Sequence, residues 1–148
     1  MSLPVVAIVG RPNVGKSSLF NLLLRKRVAI VDPQPGVTRD RNYHQADWSG
    51  IHFELVDTGG MVPSRKDEMD RVITEQAEFA IREADLILFV VDVMVGVEET
   101  EERLARRLLQ SGRPVCLVVN KADNQRLERA AHDFHGLGLG EPIPISAA

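Results

Sequence analysis

Near its N-terminus the chain reads Gly10-Arg11-Pro12-Asn13-Val14-Gly15-Lys16-Ser17, which fits the pattern G-x-x-x-x-G-K-[ST]. Each fixed place in that pattern has a chemical reason. The glycines let consecutive backbone N–H groups turn inward around phosphate oxygens, and a helix N-terminus directly behind them adds favourable potential. Lys16 offers an ammonium to the outer phosphates of a nucleotide, and the Ser17 hydroxyl suits Mg²⁺. With Ser18, the run from Gly10 makes a candidate phosphate cradle. The competing reading is a glycine-rich turn with an ordinary helix cap at Ser17. A chance match at four fixed places, in the strand–loop–helix setting the motif needs, is rare at average composition.

Downstream, Asp57-Thr58-Gly59-Gly60 closes an apolar run. A carboxylate at the exposed end of a buried strand, beside the strand that feeds the phosphate loop, suits a second contact to Mg²⁺. Gly60 has no Cβ, so its N–H can approach a terminal phosphate closely. The polar connection from Asp32 to Arg41 is long for a compact domain, and such segments are usually functional. Thr38 is its best metal candidate, through its hydroxyl and carbonyl. Arg39 and Arg41 read as solvated surface. Lys16, Thr38 and Gly60 are thus the candidate catalytic groups, with Ser17, Thr38 and Asp57 as the metal set.

A third constellation, Asn120-Lys121-Ala122-Asp123, ends another apolar run. A carboxylate accepts hydrogen bonds from N1–H and the exocyclic amine of guanine, a donor pair that adenine lacks on that edge. Asp123 is placed for this role. Asn120 suits the O6/N7 side, and the stem of Lys121 can cover the base. A site built on such bonds rejects the wrong base, whose binding would leave polar groups buried and unpaired. Ser146 and Ala147 can add a backbone N–H toward O6. The implied ligands are GTP and GDP with Mg²⁺.

Holding these groups together needs a sheet whose strands end at one rim. Val5 to Val9, Leu86 to Val91 and Val115 to Val119 are short continuous apolar runs, the signature of parallel strands buried on both faces. Asn42 to Trp48 and Ile51 to Val56 flank Ser49-Gly50 and read as an antiparallel hairpin at a sheet edge. Helical spacing follows Ser17 (Leu19, Leu22, Leu23), runs through Met69, Val72, Ile73, Ala77 and Ala80, and returns at Leu104, Leu108 and Leu109. In that third helix, early glutamates and the arginines Arg103, Arg106 and Arg107 are ordered to suit a helix dipole. A weaker helix is expected from Arg126 to Phe134, and a last strand from Pro142 to Ser146. The expected fold is α/β: three layers, with a mostly parallel six-stranded sheet and one antiparallel edge strand. No helix covers the last strand.

Composition agrees with one globular domain of 148 residues, 44% hydrophobic and 26% charged. One cysteine, Cys116, excludes an internal disulfide framework and suits a reducing compartment. A net charge of −3 argues against a nucleic-acid coat or a polybasic membrane anchor. No apolar run approaches the roughly 20 residues needed to cross a bilayer, and no secretory signal is visible. These features point to a soluble, cytoplasmic chain without direct nucleic-acid binding. His132 and His135 have a metal-like spacing but lack further ligands nearby. His44 and His52 carry no signal, Cys116 reads as core, and Trp48 and Phe53 read as hairpin packing.

The motifs, in this order, resemble the translation-factor-related GTPases. More narrowly, the phosphate loop, Pro-Gly-Val-Thr-Arg-Asp-Arg from Pro35 and Asp-Thr-Gly-Gly from Asp57 resemble the first G domain of the Der (EngA) bacterial GTPases. Gly136 to Gly140 also fits that family. The resemblance implies a P-loop NTPase G domain over residues 1–148, one piece of a longer protein with two tandem G domains and a KH-like domain. The terminal helix of the G domain is missing. The implied partner is the ribosome, in assembly of its large subunit.

In many GTPases a glutamine occupies the place of Met61 and orients the attacking water. Methionine offers no such hydrogen bond, so slow hydrolysis is expected, resting on Lys16, Mg²⁺ and backbone groups. The resemblance also adds Asn13 to the catalytic candidates, as a residue that helps hold K⁺ beside the phosphates; the rival reading is that Asn13 merely stabilises the loop. Two functional classes follow: a timed GTP-hydrolysing switch, or a nucleotide-binding interaction module with negligible catalysis. An ATP-dependent kinase would need an acceptor site and lid for which no residues are evident.

Overall fold

The computed structural model describes residues 3–11, 16, 19–20, 23, 43–48, 50–58, 66–120, 132–140 and 143–144. Six strands, β1 (Val5–Val9), β2 (Tyr43–Trp48), β3 (Ile51–Asp57), β4 (Leu86–Asp92), β5 (Val115–Asn120) and β6 (Ile143–Pro144), make one sheet ordered β2-β3-β1-β4-β5-β6. Only the β2–β3 pair at the edge is antiparallel. The described helices are α1 (Lys66–Glu83) and α2 (Glu99–Ser111), with a 3-10 turn at His132–Leu137. Lys16, Leu19, Phe20 and Leu23 also have helical backbone.

Strand periodicity explains the layers. Successive side chains of a strand face opposite ways, so a strand buried on both faces feeds two cores. Ala7 and Val9 of β1, Ile87, Phe89 and Val91 of β4, and Leu117 and Val119 of β5 join one core with Ile73, Ala77 and Ala80 of α1 and Leu104 and Leu108 of α2. Their neighbours Val6, Ile8, Val90 and Val118 join a second core with Leu19, against which Phe20 and Leu23 pack. The expected three-layer α/β arrangement is what forms.

The hairpin register pairs Trp48 with Ile51, leaving a two-residue turn in which Gly50 adopts φ 84°. Glycine suits that left-handed geometry because it has no Cβ to clash. Phe53 lies opposite Ala46 and packs on the second core, while His44 meets Phe20 edge to face at 5.1 Å. Cys116 is half-buried against the same core.

Three expectations need correction. The helix expected from Arg126 to Phe134 lies mostly outside the described residues, and its described end is a 3-10 turn that continues to Leu137. Phe134 is nonetheless buried in the first core. The three arginines expected to complement the dipole of α2 follow its glutamates but stop short of the last turn, because the helix continues to Ser111 and is closed by Gly112 at φ 75°. Arg107 instead pairs with Glu78 of α1, at 2.6 and 2.8 Å. Leu109, read as part of the buried stripe, is 50% exposed; Ala105 takes the buried place instead. The last strand is described only over Ile143–Pro144 within the expected Pro142 to Ser146.

Candidate nucleotide-binding site

Parallel strands bring their C-terminal ends to one rim, and a ligand crevice opens where successive connections leave to opposite sides. Here β1 is flanked by β3 on one side and β4 on the other. Ile8 is in register with Asp57, and Asp92 with Asn120. The rim therefore gathers the start of the phosphate loop, the Asp57-Thr58 step and the first residue of the guanine-type motif. That is the juxtaposition the three sequence motifs require.

Lys16 is 7% exposed, so its charge needs partners. Its Nζ donates to the carbonyl of Gly10 at 2.8 Å and to Oε1 of Gln76 at 3.3 Å. The Thr58 hydroxyl, with one proton, lies 2.8 Å from the carbonyl of Ile8 and 3.0 Å from the same Gln76 oxygen. The backbone N–H of Gly10 reaches that oxygen too, at 3.3 Å. One carboxamide oxygen on α1 thus gathers the phosphate-loop lysine, the root of the loop and the threonine after β3. Gln76 is 4% exposed, and its Nε2 is buried with no partner among the described residues. Reversing the amide would aim its NH₂ at the Lys16 ammonium and the Gly10 N–H, neither of which can accept, so an oxygen facing them is the chemically sound orientation.

Arg11, one residue into the loop, turns its guanidinium away toward the first turn of α2. It lies 3.2 Å from Glu98 and 3.4 Å from Glu101. Glu101 also accepts from the backbone N–H of Glu98 at 3.0 Å, which caps the helix start. Asp92 is buried at the end of β4 and accepts from the N–H of Met94 at 2.8 Å. Asn120 is buried at the end of β5, and its carbonyl accepts from the N–H of Val93 at 3.1 Å.

Of the residues expected from the sequence, Gly10, Arg11, Lys16 and Asn120 are described, together with the backbone of Asp57. Pro12, Asn13, Val14, Gly15, Ser17, Ser18, Thr38, Gly60, Met61, Lys121, Asp123, Ser146 and Ala147 lie outside the described residues. Gln76, Glu101 and Asp92 were missed. Gln76 had a signal: it follows Val72 by one turn and precedes Ala80 by another, inside an otherwise apolar stripe.

Away from the rim, three groups depart from their ordinary acidity, and the hydrogen bonds to Glu78 raise the first of them, the Arg107 guanidinium. The Arg107 hydrogen bonds hold the Glu78 carboxyl below the usual range, and burial pushes the Cys116 thiol up. Among the described residues there is no cluster of potential metal ligands and no helix long and apolar enough to cross a membrane.

A mostly parallel sheet with a glycine-rich loop, a buried lysine behind β1 and an asparagine ending β5 defines a P-loop GTPase domain. The chain belongs to the 50S ribosome-binding GTPase family, whose pattern matches residues 5–121. Over 148 residues it is 51% identical to GTPase Der of Lactobacillus helveticus, covering 100% of this chain and 34% of that protein. GTPase Der of Ligilactobacillus salivarius is 53% identical over 146 residues, 99% of this chain and 33% of the relative. The chain thus spans about a third of the length of these relatives. Among solved structures, a variant of Aquifex aeolicus Era bound to GDP and aluminium fluoride superposes with a TM-score of 0.69 at 32% identity, covering 99% of this chain and 52% of that one.

Proposed function

We propose that this chain is the first G domain of a longer cytoplasmic protein with two such domains, a GTP-dependent switch that hydrolyses slowly and serves assembly of the large ribosomal subunit. The observation that carries the reading is Lys16, buried at the rim with its ammonium on the Gly10 carbonyl. The family and the Der relatives support the ribosomal part.

In this reading Gly10 to Ser18 cradle the phosphates. Asn120, Lys121 and Asp123 hold guanine, with Ser146 and Ala147 at O6. Ser17, Thr38 and Asp57 would hold Mg²⁺; their hydroxyl and carboxylate oxygens suit a hard cation. When bound, the ion offsets the charge of the β- and γ-phosphates. Water adds to the γ-phosphorus as its bond to the β–γ bridging oxygen breaks, giving GDP, phosphate and a proton. Lys16 and the Gly60 N–H meet the charge that develops on the phosphoryl oxygens. Met61 cannot orient the water, which keeps turnover slow. Asn13 would help seat K⁺, and the positive charge such an ion supplies would favour the same transition state. Loss of the γ-phosphate releases the segments around Thr38 and Gly60.

Equilibrium binding of GTP, GDP and ATP, followed by single-turnover hydrolysis, tests the proposal. Guanine nucleotides should bind at least 100-fold tighter than ATP, as expected of a site that hydrogen-bonds the base. Turnover should be measurable, faster in K⁺ than in Na⁺ at equal ionic strength, and lost in Lys16→Ala. Equal binding of ATP overturns the base assignment, and tight GTP binding without turnover reduces the chain to a nucleotide-binding interaction module.

A further inference from the structure

We infer that Gln76 is a positioning residue for Lys16, a link through which α1 sets where the phosphate-loop ammonium points. The inference rests on the reading of Lys16 as a phosphate ligand and goes beyond it.

The link is built from three observed contacts on one oxygen. Oε1 of Gln76 accepts from Lys16 Nζ at 3.3 Å and from the Gly10 N–H at 3.3 Å, and it lies 3.0 Å from the Thr58 hydroxyl. Those three groups belong to the helix behind the loop, the loop's root and the segment leaving β3. A shift of α1 along or about its axis would therefore carry an acceptor of the lysine with it. The carboxamide is neutral, which matters. A carboxylate in the same buried place would capture the ammonium and compete with phosphate, whereas an apolar side chain would leave the ammonium without that guide. The side chain is buried and Nε2 is unpartnered among the described residues, so the oxygen makes every hydrogen bond described for this side chain. Lys16 is the one charged group within hydrogen-bonding distance of Gln76 among the described residues.

A double-mutant cycle read by GDP affinity tests the link. Gln76→Met keeps the volume and removes the acceptor; it should weaken GDP binding about fivefold in the parent but less than twofold in a Lys16→Met background. An equal loss in both backgrounds shows that Gln76 acts through packing or through Thr58, and overturns the inference. Gln76→Glu provides an independent arm. It should weaken GDP binding at least tenfold while leaving Tm at or above the parent's, because the new carboxylate holds Lys16 in place. Unchanged affinity, or affinity and Tm falling together, overturns the inference. Lys16→Met alone separates the two levels: parental GDP affinity in that variant defeats the phosphate role of Lys16 itself.

Discussion

Arg11, on the loop leaving β1, pairs with Glu101 in the first turn of α2, Nε to Oε2 at 3.4 Å. The pair is unequal in exposure: the Glu101 side chain is 3% exposed and that of Arg11 21%. A carboxylate so deep needs compensation, and it has two sources, the guanidinium and the N–H of Glu98. Through this pair the loop is tied to α2 on one side, as Lys16 ties it to α1 on the other.

Glu101→Ala removes both the charge partner of Arg11 and the acceptor that caps α2. It leaves Arg11 only the exposed Glu98 as counter-charge and takes away the carboxylate facing its buried Nε, and should cost about 2–3 kcal/mol in urea unfolding. Glu98 also meets Arg11, but its side chain is 54% exposed. Glu98→Ala should therefore cost less than about 1 kcal/mol. Equal losses in the two variants would show that burial does not set the value of this network.

Phe134 carries a different prediction. It lies in the 3-10 turn, 1% exposed, in the same core as Leu104, Leu108 and Leu137. Phe134→Ala should cost about 3–5 kcal/mol through lost transfer energy and the cavity left behind. Phe134→Leu, which refills most of that volume, should recover the greater part. A loss below about 1 kcal/mol for the alanine variant would mean that this turn contributes little to the core.

The sheet was legible because burial on both faces leaves an unmistakable trace. Val5 to Val9 matches β1 residue for residue, and the runs from Leu86 and from Val115 stop one residue short of β4 and β5. The shortfall has one cause: Asp92 and Asn120 are polar, but they end strands at the rim and are buried there. A hydrophobicity pattern closes at the last apolar residue, whereas the hydrogen-bond ladder continues. The motifs pointed to the rim because their residue types answer to phosphate and base chemistry. Gln76 and Glu101 escaped notice because each does its work by contacting residues far off in sequence, Lys16 and Arg11, that only the fold brings near.

Acid should remove a small stabilisation held by α1 and α2. Arg107 donates to Glu78 at 2.6 and 2.8 Å, and these bonds are the largest cause of the lowered pKa of Glu78. A carboxyl whose folded pKa lies below its ordinary 4.5 stabilises the fold above that pH. That contribution fades as pH falls from about 4.5 through the folded value. Both side chains are 40% exposed, so water and salt screen the pair. Arg107→Met should lower Tm by about 1–3 °C near pH 7 and by nothing measurable in strong acid. A gap that persists at pH 2 would assign the effect to packing by the arginine stem instead.

Cys116 lies in β5 between Val115 and Leu117, half-buried against the second core, and burial pushes its thiol above the ordinary 9.0. The thiolate is the nucleophile, so both the small ionised fraction at neutral pH and the limited access slow its reactions. Alkylation by iodoacetamide at pH 7.5 should run at least about tenfold slower in the native protein than in urea. The linkage has a matching sign. A thiol that is harder to ionise when folded stabilises the fold below its unfolded pKa, and that contribution is lost as pH climbs through the folded value. The parent should thus lose slightly more stability than Cys116→Ala between pH 8 and pH 10. Equal alkylation rates in the native and unfolded states would show that β5 leaves the sulfur open to solvent.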